Sequence, residues 1–262
     1  MTNKLKIMNK LIKFFVKHIP RPILIRFSFI FVALARPFYY GRKVECPICK
    51  KHFRSFLPYG NRGASNRLCS GCLSLERHRL IWLYLQNFTD FFDANLKVLH
   101  IAPEQPFIYR FKKCKNLNYQ TADLLSPIAD MHFDIMKIPL DDNLYDVIFC
   151  NHVLEHVEDD FAAMKELYRV IKPGGWAILQ VPIDMQRTVT YEDKTVTDPK
   201  EREKAFGQYD HVRLYGLDYS QRLESAGFEV ENFDINKYLN PELIARYRLN
   251  KSELLYIARK RK

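Results

Sequence analysis

The chain has 262 residues, 47% hydrophobic and 14% aromatic, enough to bury one large core or one core plus a small accessory unit, but not two large cores. Its formal charge of +11 comes from 41 basic and 30 acidic side chains, yet residues 1–43 hold ten of the basic ones and no acid. The remainder, with 31 basic against 30 acidic side chains, is nearly neutral, which excludes a body-wide anion-binding surface and leaves any such role to the arm.

Within the arm, residues 5–19 place Leu5, Met8, Leu11, Ile12, Phe15, Val16 and Ile19 on one helical face and Lys6, Lys10, Lys13 and Lys17 on the opposite one, and Pro20 ends the run. Pro22 opens a second apolar stretch, residues 23–35, broken only by Arg26 and Ser28. Thirteen residues at about 1.5 Å rise reach roughly 20 Å, short of a ~30 Å hydrocarbon core, and Arg26 would be costly there, so no transmembrane helix is predicted. Two readings stay open: residues 1–36 lie in the interface of an anionic bilayer, or both helices cap the body.

Cys46 and Cys49 form one CxxC and Cys69 and Cys72 a second, with nineteen residues between them. That spacing suits a four-cysteine zinc site, closed to water and therefore structural, with disulfides as the alternative. Gly60, Gly63 and Gly71 supply its turns, while Cys114 and Cys150 read as isolated residues of a helix and a strand. The organisation predicted is an arm over 1–43, a zinc-knuckle module over 44–73 and a main domain over 74–262. A helix is expected over Leu73–Phe92 with Ser74 as cap, and Arg77, His78 and Arg79 early in it could grip nucleic acid. The near-neutral body makes nucleic acid the less favoured partner.

Val98–Phe107, VLHIAPEQPF, reads as a strand entering a turn without glycine, since none occurs between Cys72 and Pro173. YQTADL ends a second strand at Asp123, and HFDIMKIPL carries Asp134 and Ile135. Val147, Ile148 and Phe149 form an apolar run suited to a strand buried on both faces, closed by Asn151 and His152. A helix should follow, with Asp159 and Asp160 at its start, Phe161, Met164, Leu167, Val170 and Ile171 on one face, and Pro173, Gly174 and Gly175 ending it. Trp176–Val181 reads as the next strand. Such a strand, crossover helix and strand make a right-handed parallel unit whose ligands collect at the carboxyl ends of the strands, here Asn151–His156.

Ile183–Gly216 is a polar insertion over that edge, expected to be a substrate segment and lid, with Gln208, Asp210, His211, Arg213 and Tyr215 inside eight residues. Beyond it, Asp218–Ala226 should be a helix closed by Gly227, Phe228–Phe233 a strand, Asn240 with Pro241 a helix start, and Leu254–Ala258 the last strand.

The stretch from Tyr145 to Pro182 resembles the S-adenosylmethionine-dependent methyltransferases of the class I, Rossmann-like fold. It is most similar to the group carrying "vLEHV" after the fourth strand and "R.LKPGG" before the fifth, matched here by Asn151, His152, Leu154, Glu155, His156 and Arg169–Gly175. The resemblance spans about residues 94–260 and implies an α/β fold, a seven-stranded, mostly parallel sheet with helices on both faces. It implies S-adenosylmethionine as cofactor, with Asp123 accepting from the ribose diol, Asp134 meeting the adenine amino group, Ile135 packing on the ring, and Asn151 and His156 on the cofactor side. The first turn departs from the pattern, because His100 stands for the family's acid and Ala102, Pro103 and Glu104 for its glycine-rich loop. Some glycan-cluster methyltransferases carry a similar "LHxAPE" form, in which Glu104 is expected to meet the cofactor's ammonium.

Methyl transfer from a sulfonium to a hydroxyl needs in-line positioning and a base for the departing proton. His211 is the first candidate base and His152 the next, with Gln208, Asp210, Arg213 and Tyr215 as substrate contacts. The expectation is a cytoplasmic, zinc-containing methyltransferase acting on a small-molecule or glycan-type hydroxyl acceptor, peripheral on the inner membrane face through its arm. The rivals are an RNA methyltransferase and a non-catalytic binding protein on a degenerate fold. The chain lacks the Asn/Asp-Pro-Pro-aromatic run of amino-group nucleic-acid methylases.

Overall fold

The computed structural model describes residues 32–34, 36–60 and 64–262. The amphipathic helix expected in the arm, almost all of its apolar companion, the membrane contact they would make and the turn at Gly63 lie outside the described residues. Among the described residues, no helix is long and apolar enough to cross a membrane. The chain divides into two compact units: the described residues up to Asp90 with Asp234–Glu253, and Phe91–Phe233 with Leu254–Lys262.

The first unit is made of short pieces. Strand β1 (Val44–Glu45) pairs with β2 (His52–Phe53), and β3 (Leu57–Tyr59) with β4 (Ala64–Leu68), both antiparallel. Helix α1 spans Glu76–Phe88 and starts later than expected: Leu75, not Ser74, is its cap residue, and the Leu75 N–H donates to Nδ1 of His78 at 2.9 Å. Arg79 is fully buried. Its guanidinium donates to the carbonyls of Arg67, Ser74, Tyr247 and Arg248 at 2.7 to 3.0 Å and lies 4.5 Å from the Phe56 ring centre. The cation expected to face nucleic acid is therefore consumed inside the unit, and buried His78 is likewise turned inward. The helix Pro241–Tyr247 opens as the sequence suggests, Asn240 accepting from the Leu243 N–H at 2.9 Å, and it sets Arg246 2.8 Å from Glu45.

The second unit carries β5 (Leu96–Ile101), β6 (Leu117–Asp123), β7 (Met131–His132), β8 (Tyr145–Cys150), β9 (Ile171–Ile178), β12 (Glu229–Phe233) and β13 (Leu255–Arg259). They form one sheet in the order β12-β13-β9-β8-β5-β6-β7. The block from β9 to β7 is parallel, and β13 runs antiparallel to both of its neighbours. Helices α2 (Gln105–Phe111), α3 (Asp160–Val170) and α5 (Tyr219–Ser225) flank it, while the insertion folds as α4 (Pro199–Phe206) and a ribbon of β10 (Tyr191–Glu192) with β11 (Arg213–Leu214). This is the seven-stranded, Rossmann-like methyltransferase architecture.

Val147, Ile148 and Phe149 have no exposed surface, as a central strand covered on both faces requires. Asp159 caps α3 by accepting from the Ala162 N–H at 2.9 Å, a contact worth about 1 kcal/mol, and Ala163, Met164, Leu167 and Val170 are buried behind it. Phe161, placed on that buried face by the sequence, is instead 36% exposed. The Pro-Gly-Gly run does not end the helix either. Ile171 begins β9 directly, and the run forms an irregularity between the pairs Tyr145/Ile171 and Val147/Trp176. Gly174 there has φ +80°, and a Cβ on Gly175 would sit 2.8 Å from the Asp146 carbonyl oxygen, so both positions demand glycine.

Candidate active site

Because β8, β5, β6 and β7 are parallel neighbours, their carboxyl ends bring Asn151, Ala102, Asp123 and Asp134 to one edge of the sheet. Ala102 adopts φ +48°, making without glycine the left-handed turn in which the resemblance has one, at a cost of about 1–2 kcal/mol. Asp123 ends β6, and its Oδ1 accepts from the N–H groups of Leu125 and Ser126 at 2.8 and 2.7 Å, which fixes the carboxylate at the strand tip. Exposed Asp134 is held the same way, Oδ1 accepting from the Met136 N–H at 2.8 Å.

Glu104 precedes α2 and accepts from Nδ2 of Asn151 at 2.9 Å, joining two of the expected cofactor residues; Oδ1 of that buried asparagine has no protein partner. His100 does not reach the edge. It is fully buried, its Nδ1 2.8 Å from the Tyr119 hydroxyl. Burial pushes the Tyr119 pKa up, so the phenol keeps its proton, and the other ring nitrogen of His100, Nε2, is buried without a hydrogen-bond partner. That nitrogen lies 3.9 Å from Glu104, so His100 packs behind the glutamate with no surface of its own at the strand ends. Ile135, expected against the adenine ring, is 6% exposed and belongs to the hydrophobic core.

A second group follows β8. His152 has φ +55° and sets Nδ1 3.3 Å from Oε1 of Glu155, while its Nε2 has no partner. Glu155 is 1% exposed and its Oε2 is also unpartnered. The insertion adds His211, 3% exposed, whose Nδ1–H donates to the Phe206 carbonyl at 3.2 Å. Desolvation lowers its pKa, favouring the neutral ring. His156 packs edge-on to His211 with 4.7 Å between ring centres, and its Nδ1 is 3.2 Å from the Asp210 carbonyl oxygen. His156 thus sits with the insertion, not among the strand-end acids. The His211 ring is enclosed, whereas the His152 side chain is half-buried with its Nε2 covered and unpartnered.

Two of the expected substrate contacts are structural. Arg213 is 2% exposed and donates to the carbonyls of Leu154, Val157 and Glu158. Tyr215 is fully buried and donates to Asp160 at 2.7 Å, a carboxylate that also accepts from Nε and Nη2 of Arg222. Gln208 is exposed and Asp210 half-buried, so these two keep access to the surface.

In the first unit, the four cysteines of the CxxC pairs place their sulfurs within 4.8 Å of one another, with Cys46 to Cys72 at 3.5 Å and Cys49 to Cys69 at 3.7 Å. A tetrahedron with ~2.3 Å Zn–S bonds has edges of about 3.8 Å, so the thiols already match it. All four are free thiols, which removes the disulfide alternative from this structure. Burial opposes charge on Cys46, but hydrogen bonds from Cys49, Cys69, Cys72 and Ser74 outweigh it and hold its pKa well down, while hydrogen bonding to Cys46 pushes Cys69 and Cys72 up. Four thiolates this close repel one another, and a central divalent cation removes the conflict. A Cβ on Gly71 would fall 2.8 Å from the Cys49 sulfur, which explains the glycine inside the second pair.

The sheet thus has five parallel strands followed by the antiparallel pair β13 and β12, with Asp123 ending β6 and Asp134 following β7. Residues 84–179 match the family model described as a methyltransferase domain. A demethylmenaquinone methyltransferase of Staphylococcus epidermidis is 41% identical over 54 residues, which are 21% of this chain and 22% of that protein. The chain thus spans about a fifth of the length of the curated relatives it matches. Among solved structures, an S-adenosylmethionine dependent methyltransferase from Mesorhizobium loti is 18% identical with a TM-score of 0.46, covering 68% of this chain and 97% of that one. The [4+2]-cyclase SpnF is 17% identical with a TM-score of 0.49, covering 79% and 88%. The match to a methyltransferase domain thus covers residues 84–179, the part of the chain that holds β5 to β9.

Proposed function

We propose that the protein transfers a methyl group from S-adenosylmethionine to a hydroxyl of a small-molecule or glycan-type acceptor. The observation that carries this reading is the His152–Glu155 pair at the end of β8. The carboxylate engages Nδ1, leaving Nε2 unpartnered one residue from Asn151, which suits a base that must collect an alcohol proton. Unpartnered Asn151 Oδ1, with Asp123 and Glu104 on the same strand-end edge, fits a polar nucleoside with a cationic amino acid tail. Asp123 would hold the ribose, Asp134 the adenine and Glu104 the ammonium. The bound donor supplies a methyl on a sulfonium; the acceptor oxygen takes the methyl as its proton passes to His152 Nε2, and the thioether leaves.

Incubation of acceptor extracts with donor carrying a labelled methyl group, followed by identification of the labelled product, tests this reading. His152→Gln should lower turnover by roughly 10²–10⁴-fold while leaving donor affinity unchanged. No calorimetric heat with either the donor or its demethylated product would instead support a non-catalytic binding protein. Structural zinc in the cysteine quartet belongs to the same proposal, and so does peripheral attachment of the arm to anionic membranes. The latter predicts vesicle co-sedimentation that is lost when residues 1–36 are deleted. The burial of Arg79 and His78 weakens the RNA reading.

A further inference from the structure

We infer that Glu155, His156 and His211 bind a divalent transition-metal ion, zinc by choice of probe, at a site separate from the cysteine quartet. One ligand atom from each of the three lies within 4.8 Å of the others, a span that small ring rotations close to the edges of a site with bonds of about 2.1 Å. Two imidazoles and one carboxylate are a donor set that suits zinc or iron(II).

The hydrogen bonding prepares these donors. The His211 Nδ1–H is committed to the Phe206 carbonyl, so its lone pair is on Nε2, and that atom is buried without a partner. The Nδ1 of His156 lies 3.2 and 3.5 Å from oxygens of Asp210, so a proton on Nδ1 has acceptors and the lone pair is left on the other ring nitrogen. Oxygen acceptors behind the distal ring nitrogen fix tautomer and orientation in metal-binding histidines generally. Glu155 uses Oε1 toward His152 and leaves Oε2 buried and unpartnered. An unpaired buried polar atom costs about 1–3 kcal/mol, so two facing the same small cluster are a defect unless something binds there.

Three protein ligands with His156 on the exposed side leave a coordination position for an oxygen, unlike the closed quartet. That this oxygen would be the acceptor hydroxyl, made more acidic by the ion, rests on the methyl-transfer reading; metal binding itself does not.

The test is equilibrium dialysis of the full chain against micromolar zinc, with metal counted by elemental analysis. Two equivalents per chain are expected in the native protein, and one in His211→Gln and in His156→Gln. If His211→Gln does not fold, His156→Gln, altering an exposed ring, decides alone. A native metal count that is unchanged in the folded His156→Gln and His211→Gln variants overturns the inference. Because no turnover is read, this outcome is independent of whether the protein methylates anything.

Discussion

The cysteine-bearing unit and the strand-end edge of the sheet differ in which buried polar groups they leave unpaired. In the first, four thiols face one another and Arg79 spends its donors on four carbonyls. Along the second and the insertion that follows it, His100, Asn151, His152, Glu155, Asp210 and His211 each keep a buried nitrogen or oxygen with no protein partner. The first unit leaves Arg36 Nε, Ser70 Oγ and Glu76 Oε2 unpartnered as well, but none of these belongs to its ligating cluster, whereas after β8 the unpaired atoms sit on the ligating side chains themselves, where a ligand would complete them. The contrast teaches that similar groupings of ligating side chains can be told apart by what remains unpaired around them.

The largest expected effect would break this comparison at the first unit. Cys69→Ser should abolish its cooperative folding and release one zinc equivalent, read by limited proteolysis and metal analysis; a stable, metal-free variant would make the quartet incidental. Arg79→Met should cost at least 3 kcal/mol in chemical denaturation, because four buried carbonyls lose their donor. At the strand-end edge the expected loss is in binding instead. Asp123→Ala should weaken donor affinity by about 10–100-fold by calorimetry, as loss of charge-assisted hydrogen bonds implies, with denaturation little changed.

A smaller effect concerns pH. Tyr219 is fully buried and donates to the Leu179 carbonyl at 3.0 Å, and burial raises its pKa well above the ordinary value. Above about pH 10 the unfolded chain gives up a proton that the folded chain keeps, so this contribution is complete below that pH and is lost as pH rises. Tyr219→Phe should flatten the alkaline fall in stability while costing about 1 kcal/mol at neutral pH. Least of all, Ala102→Gly should change stability by under about 1 kcal/mol, relief of the left-handed strain being offset by a more flexible unfolded chain.

Local features were the most readable from sequence. Two CxxC turns bring their own sulfurs together, and the Asp159 and Asn240 caps act within three residues. The buried apolar run at Val147–Phe149 marked one central strand, and the seven-stranded, mostly parallel sheet followed from the resemblance. Arg79 was misread because its partners Tyr247 and Arg248 lie 168 and 169 positions away, on a segment that rejoins the first unit late in the chain. The metal-ready trio was hidden for the same reason: Glu155 and His156 follow β8, whereas His211 arrives with the insertion, and only folding shows which nitrogens are spent. Pro-Gly-Gly was read as a helix stop because its composition is that of a turn, while the strand accommodates it as an irregularity.

The anchoring of Arg213 has a mechanical consequence for the insertion. Its guanidinium grips three carbonyls just after β8 and pairs with Glu192 at 3.2 Å across the ribbon, so both ribs of that ribbon are tied to the segment carrying Glu155 and His156. Swinging the whole insertion aside would tear out a buried cation, so on the proposed methyl-transfer reading passage for an incoming molecule would fall to the stretch between the ribs, residues 193–210. Sequence changes there should alter which acceptors enter without disturbing how the donor is held.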